Sequence, residues 1–376
     1  MQLKHLLLSA LFSLTRAQSN SNLSSLLSST SQLSQLTSIL NANPSLLDSL
    51  NSAKDITILA PNDDAFKTLL ATNSGKAVAA DTGMLTALLT YHVLNGTYMA
   101  ADLSETPAFV STLLTNETYS NVTGGQVVKG LRNGDNTMFF SGLGMNSSVV
   151  QANIKFTGGV VHILNAVLTL PLPVSTTATA SNLTALAGAL SAANLGEMID
   201  TMPDVTIFAP NNEAFQSIAS GLANLSTSDL TDILGYHVVN GTVGYSSMLE
   251  SGMRLKTVEG GEVTVTIDGS NVFVNGAKVI IPDVLVANGV VHVVDNILNP
   301  SVTTARPSPS DTTGAPAFSG SSASNVPFTS GQPTPTMAAP GSESSGPAMA
   351  TGAATSLNTG AMGAMALFGV VGLMNY

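Results

Sequence analysis

The sequence predicts an α+β chain built from two tandem copies of one domain. Three observations carry this. Three motifs recur in the same order in both halves, a Leu-rich stretch with helical spacing precedes each first motif, and alternating β-branched runs fill the end of each half. Helices grouped early and strands grouped late point to α+β rather than to alternating βαβ units.

The repeat fixes the domains. TILAPNDDAF (57–66) returns as TIFAPNNEAF (206–215), TYHVLNGT (90–97) as GYHVVNGT (235–242), and GGVVHILNAVL (158–168) as NGVVHVVDNIL (288–298). The offsets are 149, 145 and 130, so the first copy carries insertions between Gly96 and Gly158 that the second lacks. A period this long means whole domains, since solenoid units run about 20–50 residues. The domains are assigned to residues 18–170 and 171–300.

Within each copy the elements follow from local chemistry. The Leu-rich stretches 33–50 and 183–199 read as helices. A β-rich run then stops at Pro61 or Pro210, which cannot donate to a ladder. Asn62 and Asn211 follow as helix N-caps, with Asp63 and Asp64, or Glu213, in the positive first turn and Phe66 or Phe215 on the buried face. Segments 84–89 and 230–234 read as helices that deliver each Tyr-His pair. Val263 to Ile267, Val272 to Val274 and Lys278 to Ile281 read as strands, separated by the turn signals Asp268-Gly269 and Asn275-Gly276. The closing GVVH runs suit buried strands.

The two ends read as addresses. Lys4, an apolar core over 6–14 and small residues up to Ala17 make residues 1–17 a secretory signal. At the other end, the apolar stretch 361–374 is too short for a good stop-transfer helix and fits a glycolipid-anchor signal over 351–376. The attachment residue is expected at one of Ser345, Gly346, Ala348 or Ala350. Residues 301–350, rich in Ser, Thr, Pro, Gly and Ala, read as a disordered, O-glycosylated stalk.

Composition excludes several function classes. Only 9% of the residues are charged, and the formal net charge of -11 includes no basic run, so nucleic acid is not an expected partner. The absence of cysteine removes disulfides, thiol nucleophiles and thiolate metal sites. Glycans offer another way to keep such a chain soluble: acceptor triplets begin at Asn22, Asn95, Asn116, Asn121, Asn146, Asn182, Asn224 and Asn240. Asn95 and Asn240 hold the same place in both copies, directly after Tyr-His, so a glycan there would screen that edge from a tight protein contact.

The cap box, central Tyr-His and closing GVVHVVD-like strand resemble the fasciclin-domain family of extracellular adhesion proteins, over residues 20–300. The resemblance implies a β-wedge with helices packed around it, usually in tandem, secreted and often lipid-anchored. It also implies partners: an extracellular protein, a cell-wall polysaccharide or another copy of the chain, with the membrane reached through the lipid anchor. Carried over from animal members, receptor contact would fall on Tyr91 and His92 in the first copy and on Tyr236, His237, Asp295 and Ile297 in the second. In the first copy Asn165 replaces the acid and Ala166-Val167 replaces Asn296-Ile297, which weakens a carboxylate-dependent contact there. The alternative role for these positions is packing.

Catalysis finds little support. His92, His162, His237 and His292 sit in apolar settings without metal-ligand spacing, and each reads either as part of a site or as a buried hydrogen-bonding group. No G-x-S-x-G or HExxH occurs, Asp63 and Asp64 are adjacent and do not face each other, and no cofactor or metal is expected. Beside adhesion or wall organisation stand two other readings. One is an apolar ligand held between wedge and helices; the other is a wall-polymer enzyme, for which the sequence offers no paired carboxylates.

Overall fold

The computed structural model describes residues 21–222, 225–302 and 313–335. The expectations for residues 1–17, for Asn224, for the four attachment residues and for 351–376 therefore lie outside the described residues.

Each domain is a seven-stranded sheet with helices on one side. The first contains β1 (Ile56–Pro61), β2 (Val93–Asn95), β3 (Ala108–Ser111), β4 (Val127–Asn133), β5 (Asn136–Phe140), β6 (Asn146–Phe156) and β7 (Gly159–Leu164). The second contains β8 (Val205–Pro210), β9 (Val238–Val239), β10 (Arg254–Lys256), β11 (Glu262–Asp268), β12 (Asn271–Val274), β13 (Ala277–Val286) and β14 (Gly289–Val294). The first sheet runs β2-β1-β7-β6-β5-β4-β3, and the second follows the same plan, β9-β8-β14-β13-β12-β11-β10. Only β1 with β7, and β8 with β14, pair in parallel. Bridges Leu94↔Thr112 and Val239↔Thr257 bring the two ends of each sheet together. This closure leaves little open edge for stray pairing.

The repeated motifs build these joints. Asn62 Oδ1 accepts from the Ala65 N–H at 2.8 Å, and Asn211 Oδ1 from the Ala214 N–H at 2.8 Å, so both expected caps are made. Gly159 and Gly289 open the closing strands because the parallel partner runs so close: a Cβ would lie 1.8 Å from Ile56 O or 1.9 Å from Val205 O. The Leu-rich stretches fold as pairs of helices, Ser34–Asn41 with Pro44–Ser52, and Thr184–Ala192 with Gly196–Thr201. Leu33, Leu36 and Leu40 in the first, and Leu183, Leu186 and Leu190 in the second, enter the core between helices and sheet.

The insertion expected in the first copy has a location and a use. Fifteen residues separate β3 from β4, whereas five separate β10 from β11. That longer loop reaches across to the second domain.

Residues 313–335 depart from the stalk expectation. They form no helix or strand, yet they lie against the second domain, with Phe318, Val326 and Phe328 packed on its core. Average composition hides three apolar anchors in a Ser/Gly/Pro background.

Candidate functional site

The motif histidines and tyrosines singled out in the sequence are internal fasteners. His92 caps the helix Thr82–Tyr91, and His237 caps Thr227–Tyr236. Nδ1 of each lies 2.7 Å from a carbonyl one turn back, Leu88 O or Ile233 O, so Nδ1 carries the proton. Nε2 then accepts from the N–H of Leu168 at 2.9 Å or Leu298 at 2.8 Å. One neutral imidazole thus ties the end of a helix to the closing segment of its domain. Burial pushes both histidines down to about 4, outweighing the carbonyl bonds that favour the charged ring.

His162 and His292 make the mirror arrangement. Their Nε2 atoms donate to Tyr98 O and Gly244 O, each at 2.8 Å, and their Nδ1 atoms accept from the N–H of Asn153 at 3.3 Å and of Asp283 at 3.4 Å. Asn153 and Asp283 sit with φ of 62° and 65° where the strand register shifts, so each ring satisfies the amide freed by a bulge. Burial lowers both of these histidines too. All four rings spend both nitrogens on backbone, which leaves no lone pair for a metal or a proton relay. Among the described residues no group of three His, Asp or Glu side chains could hold a metal ion.

The tyrosines are equally committed. Tyr91 and Tyr236 are fully buried, with hydroxyls donating to Val127 O at 3.0 Å and Glu262 O at 2.8 Å. Ile297 is buried. Asp295, half-buried, accepts from the N–H of Lys278 at 2.8 Å and of Gly314 at 2.6 Å. The geometry gives Tyr91, His92, Tyr236, His237, Asp295 and Ile297 an internal role in place of the surface contact carried over from animal proteins. Both copies make the same internal bonds.

What the sequence did not reveal is the seam between the domains. Gln126, fully buried in the long loop, donates through Nε2 to Val286 O at 3.1 Å. Asn121 N donates to Ala287 O at 2.8 Å, and the Thr123 N–H donates to Asp204 Oδ1 at 2.7 Å. Phe109 stacks on Tyr245 with ring centroids 4.2 Å apart, beside Val127, Leu285 and Val290. Lys129 Nζ reaches Asp283 Oδ2 at 3.6 Å; that carboxylate is 1% exposed and also accepts from Ser246 N and Oγ. The pair crosses the seam, so removing Lys129 would leave a nearly fully buried carboxylate held by Ser246 without its cation. The Asn153 of the first copy stands where Asp283 stands in the second, so the acid belongs to the seam rather than to the shared fold.

Of the acceptor asparagines within the described residues, Asn22, Asn95, Asn116, Asn146 and Asn240 are exposed, while Asn121 and Asn182 are half-buried. The cavity under the first domain's helices, lined by Leu36, Leu50, Phe66 and His92 among others, measures about 20 Å³, and its counterpart in the second about 10 Å³. Each is about the size of one water.

The fasciclin domain matches twice, over residues 31–171 and 181–300. The chain belongs to the fasciclin-domain family. It is 33% identical over 312 residues to a fasciclin-like arabinogalactan protein of Arthroderma benhamiae, covering 82% of this chain and 74% of the relative. It is 36% identical over 281 residues to the fasciclin-like arabinogalactan protein elcF of Phaeosphaeria nodorum, covering 74% and 88%. A solved FAS1 domain pair from the insect cell adhesion molecule fasciclin I is similar at 20% identity and a TM-score of 0.35, over 72% of this chain and 98% of that one. The duplicated Tyr-His and GVVH fasteners are thus features of two fasciclin domains in series.

Proposed function

We propose that the chain is a secreted cell-surface glycoprotein whose fasciclin pair mediates adhesion or organises the cell wall or extracellular matrix, held to the membrane by a glycolipid anchor. The observation that carries this reading is the commitment of the repeated motifs to internal bonds. With every motif histidine tied to backbone at both nitrogens, reaction chemistry has no donor there, and what remains to act is the outer surface of a stiff domain pair. The family supports the same direction, its relatives including proteins named fasciclin-like arabinogalactan proteins.

A locked pair suits adhesion physically. Two weak contacts presented at fixed separation act with a high effective concentration for the second, without ordering an interdomain hinge. Exposed sequons at Asn95 and Asn240 direct partners away from the Tyr-His edge and favour other faces.

Intact cells displaying the chain should adhere to matrix or wall material, and phosphatidylinositol-specific phospholipase should release both the protein and the adhesion. Retention of the protein while a known anchored control is released would overturn the anchor; release without any loss of adhesion would overturn the adhesive role.

A further inference from the structure

The strap at residues 313–335 lies along the helices of the second domain. The two copies serve as mutual controls. In the first, the helix Asp63–Ala71 is followed by a full helix, Asn73–Ala80; in the second, the corresponding helices are the shorter Asn212–Ser217 and Ala219–Leu222. The strap fills the space this leaves. Gln216 and Ala323 exchange bonds, with Nε2 to O at 3.0 Å and N to O at 3.2 Å, while Ser321 N donates to Ser220 Oγ at 2.8 Å. Phe328 meets Phe215 edge-on at 6.1 Å.

Glycine makes the approach possible. At Gly188 an added Cβ would lie 1.8 Å from Phe328 O, and its three nearest atoms all belong to Phe328. The shared Leu spacing (33, 36, 40 against 183, 186, 190) places Ser38 at the matching position of the first domain, where such an approach is closed. The strap's own sequence is too poor in apolar residues to fold alone, so its conformation comes from docking. At its far end, residues 332–334 border a cleft of about 470 Å³ with Leu143 and Leu172.

We infer that this groove is a peptide-docking site whose occupant is the chain's own segment 313–335, and that docking is releasable and sets the reach of the tether. Backbone bonds and a few aromatic anchors hold an extended segment by local contacts, which open more easily than a core. Release frees the 23 residues from 313 to 335, a contour of about 80 Å at full extension. The consequence for reach rests on the tethered reading; the docking does not.

The test uses the full secreted chain and its Gly188→Ala variant. Alanine favours the host helix, so the variant keeps the fold while its methyl group displaces Phe328. Chymotrypsin under native conditions, with fragments read by mass spectrometry, should cut after Phe318 and Phe328 at least tenfold faster in Gly188→Ala than in the parent, with circular dichroism unchanged. A second variant, Phe328→Ser, should accelerate cleavage after Phe318 similarly. Equal rates in parent and variants would overturn the docking. Protection in the parent that rises with protein concentration would assign the groove to the strap of a second copy and overturn docking in cis. Neither failure touches the anchor, which the phospholipase experiment reads separately.

Discussion

Replacing His237 with phenylalanine isolates one fastener. At neutral pH the variant keeps ring volume but leaves the buried N–H of Leu298 without its acceptor, at a cost of about 1–3 kcal/mol. The pH dependence is more diagnostic. Burial holds His237 at about 4 in the folded chain, against an ordinary value of 6.5 when unfolded. The unfolded chain therefore binds more protons between these values, so the stability contributed by the neutral ring is present above pH 6.5 and is lost as pH falls towards 4. The full shift corresponds to about 3 kcal/mol, of which about 2 kcal/mol disappears between pH 7 and pH 5. Urea unfolding followed by far-UV circular dichroism, extrapolated to water at the two pH values, measures this. His92, His162 and His292 act with the same sign, so the parent should lose more than this one increment, and His237→Phe should lose about 2 kcal/mol less than the parent. A variant as stable as the parent at pH 7, or equally sensitive to acid, would refute the fastener.

Lys129→Met should lower stability by about 3 kcal/mol by stranding the buried Asp283 carboxylate, and adding Asp283→Asn should recover much of it, as a double-mutant cycle in urea would show. Gly289→Ala should abolish accumulation of folded protein, because its methyl group would force β14 away from Val205 of β8; a variant with the parent's circular dichroism would contradict that close approach. Asn95→Gln and Asn240→Gln should each remove one glycan mass while changing stability by no more than about 0.5 kcal/mol, since both side chains are exposed.

The duplication and most elements were legible because they rest on local chemistry. Asn62 and Asn211 cap where a polar residue precedes acids and a buried Phe, and the alternating 263–267 run does become β11. Parallel pairing of β1 with β7 was not legible, since it depends on register over a hundred residues; its trace is Gly159, where a side chain would collide with Ile56. The histidines could be recognised as candidates for buried bonds, but not their partners, which are backbone atoms without a residue signature. The seam escaped notice because Gln126, Phe109 and Tyr245 look ordinary in sequence. Asp283 carried a faint signal, an acid inside an apolar run whose counterpart is Asn153. The strap was hidden by averaging, since a window dominated by Ser, Gly and Pro conceals anchors as widely spaced as Phe318 and Phe328.

The central claim is that the outer surface of this locked pair binds an extracellular partner. Its most direct test is a glycan and protein array probed with residues 18–335, which keep the strap that a fragment ending at 300 would remove, in native and deglycosylated form. The expected result is saturable binding to a wall polysaccharide, a matrix protein or the chain itself, unchanged by His237→Phe at neutral pH as long as the domain stays folded. Binding by neither form to any of these would contradict it.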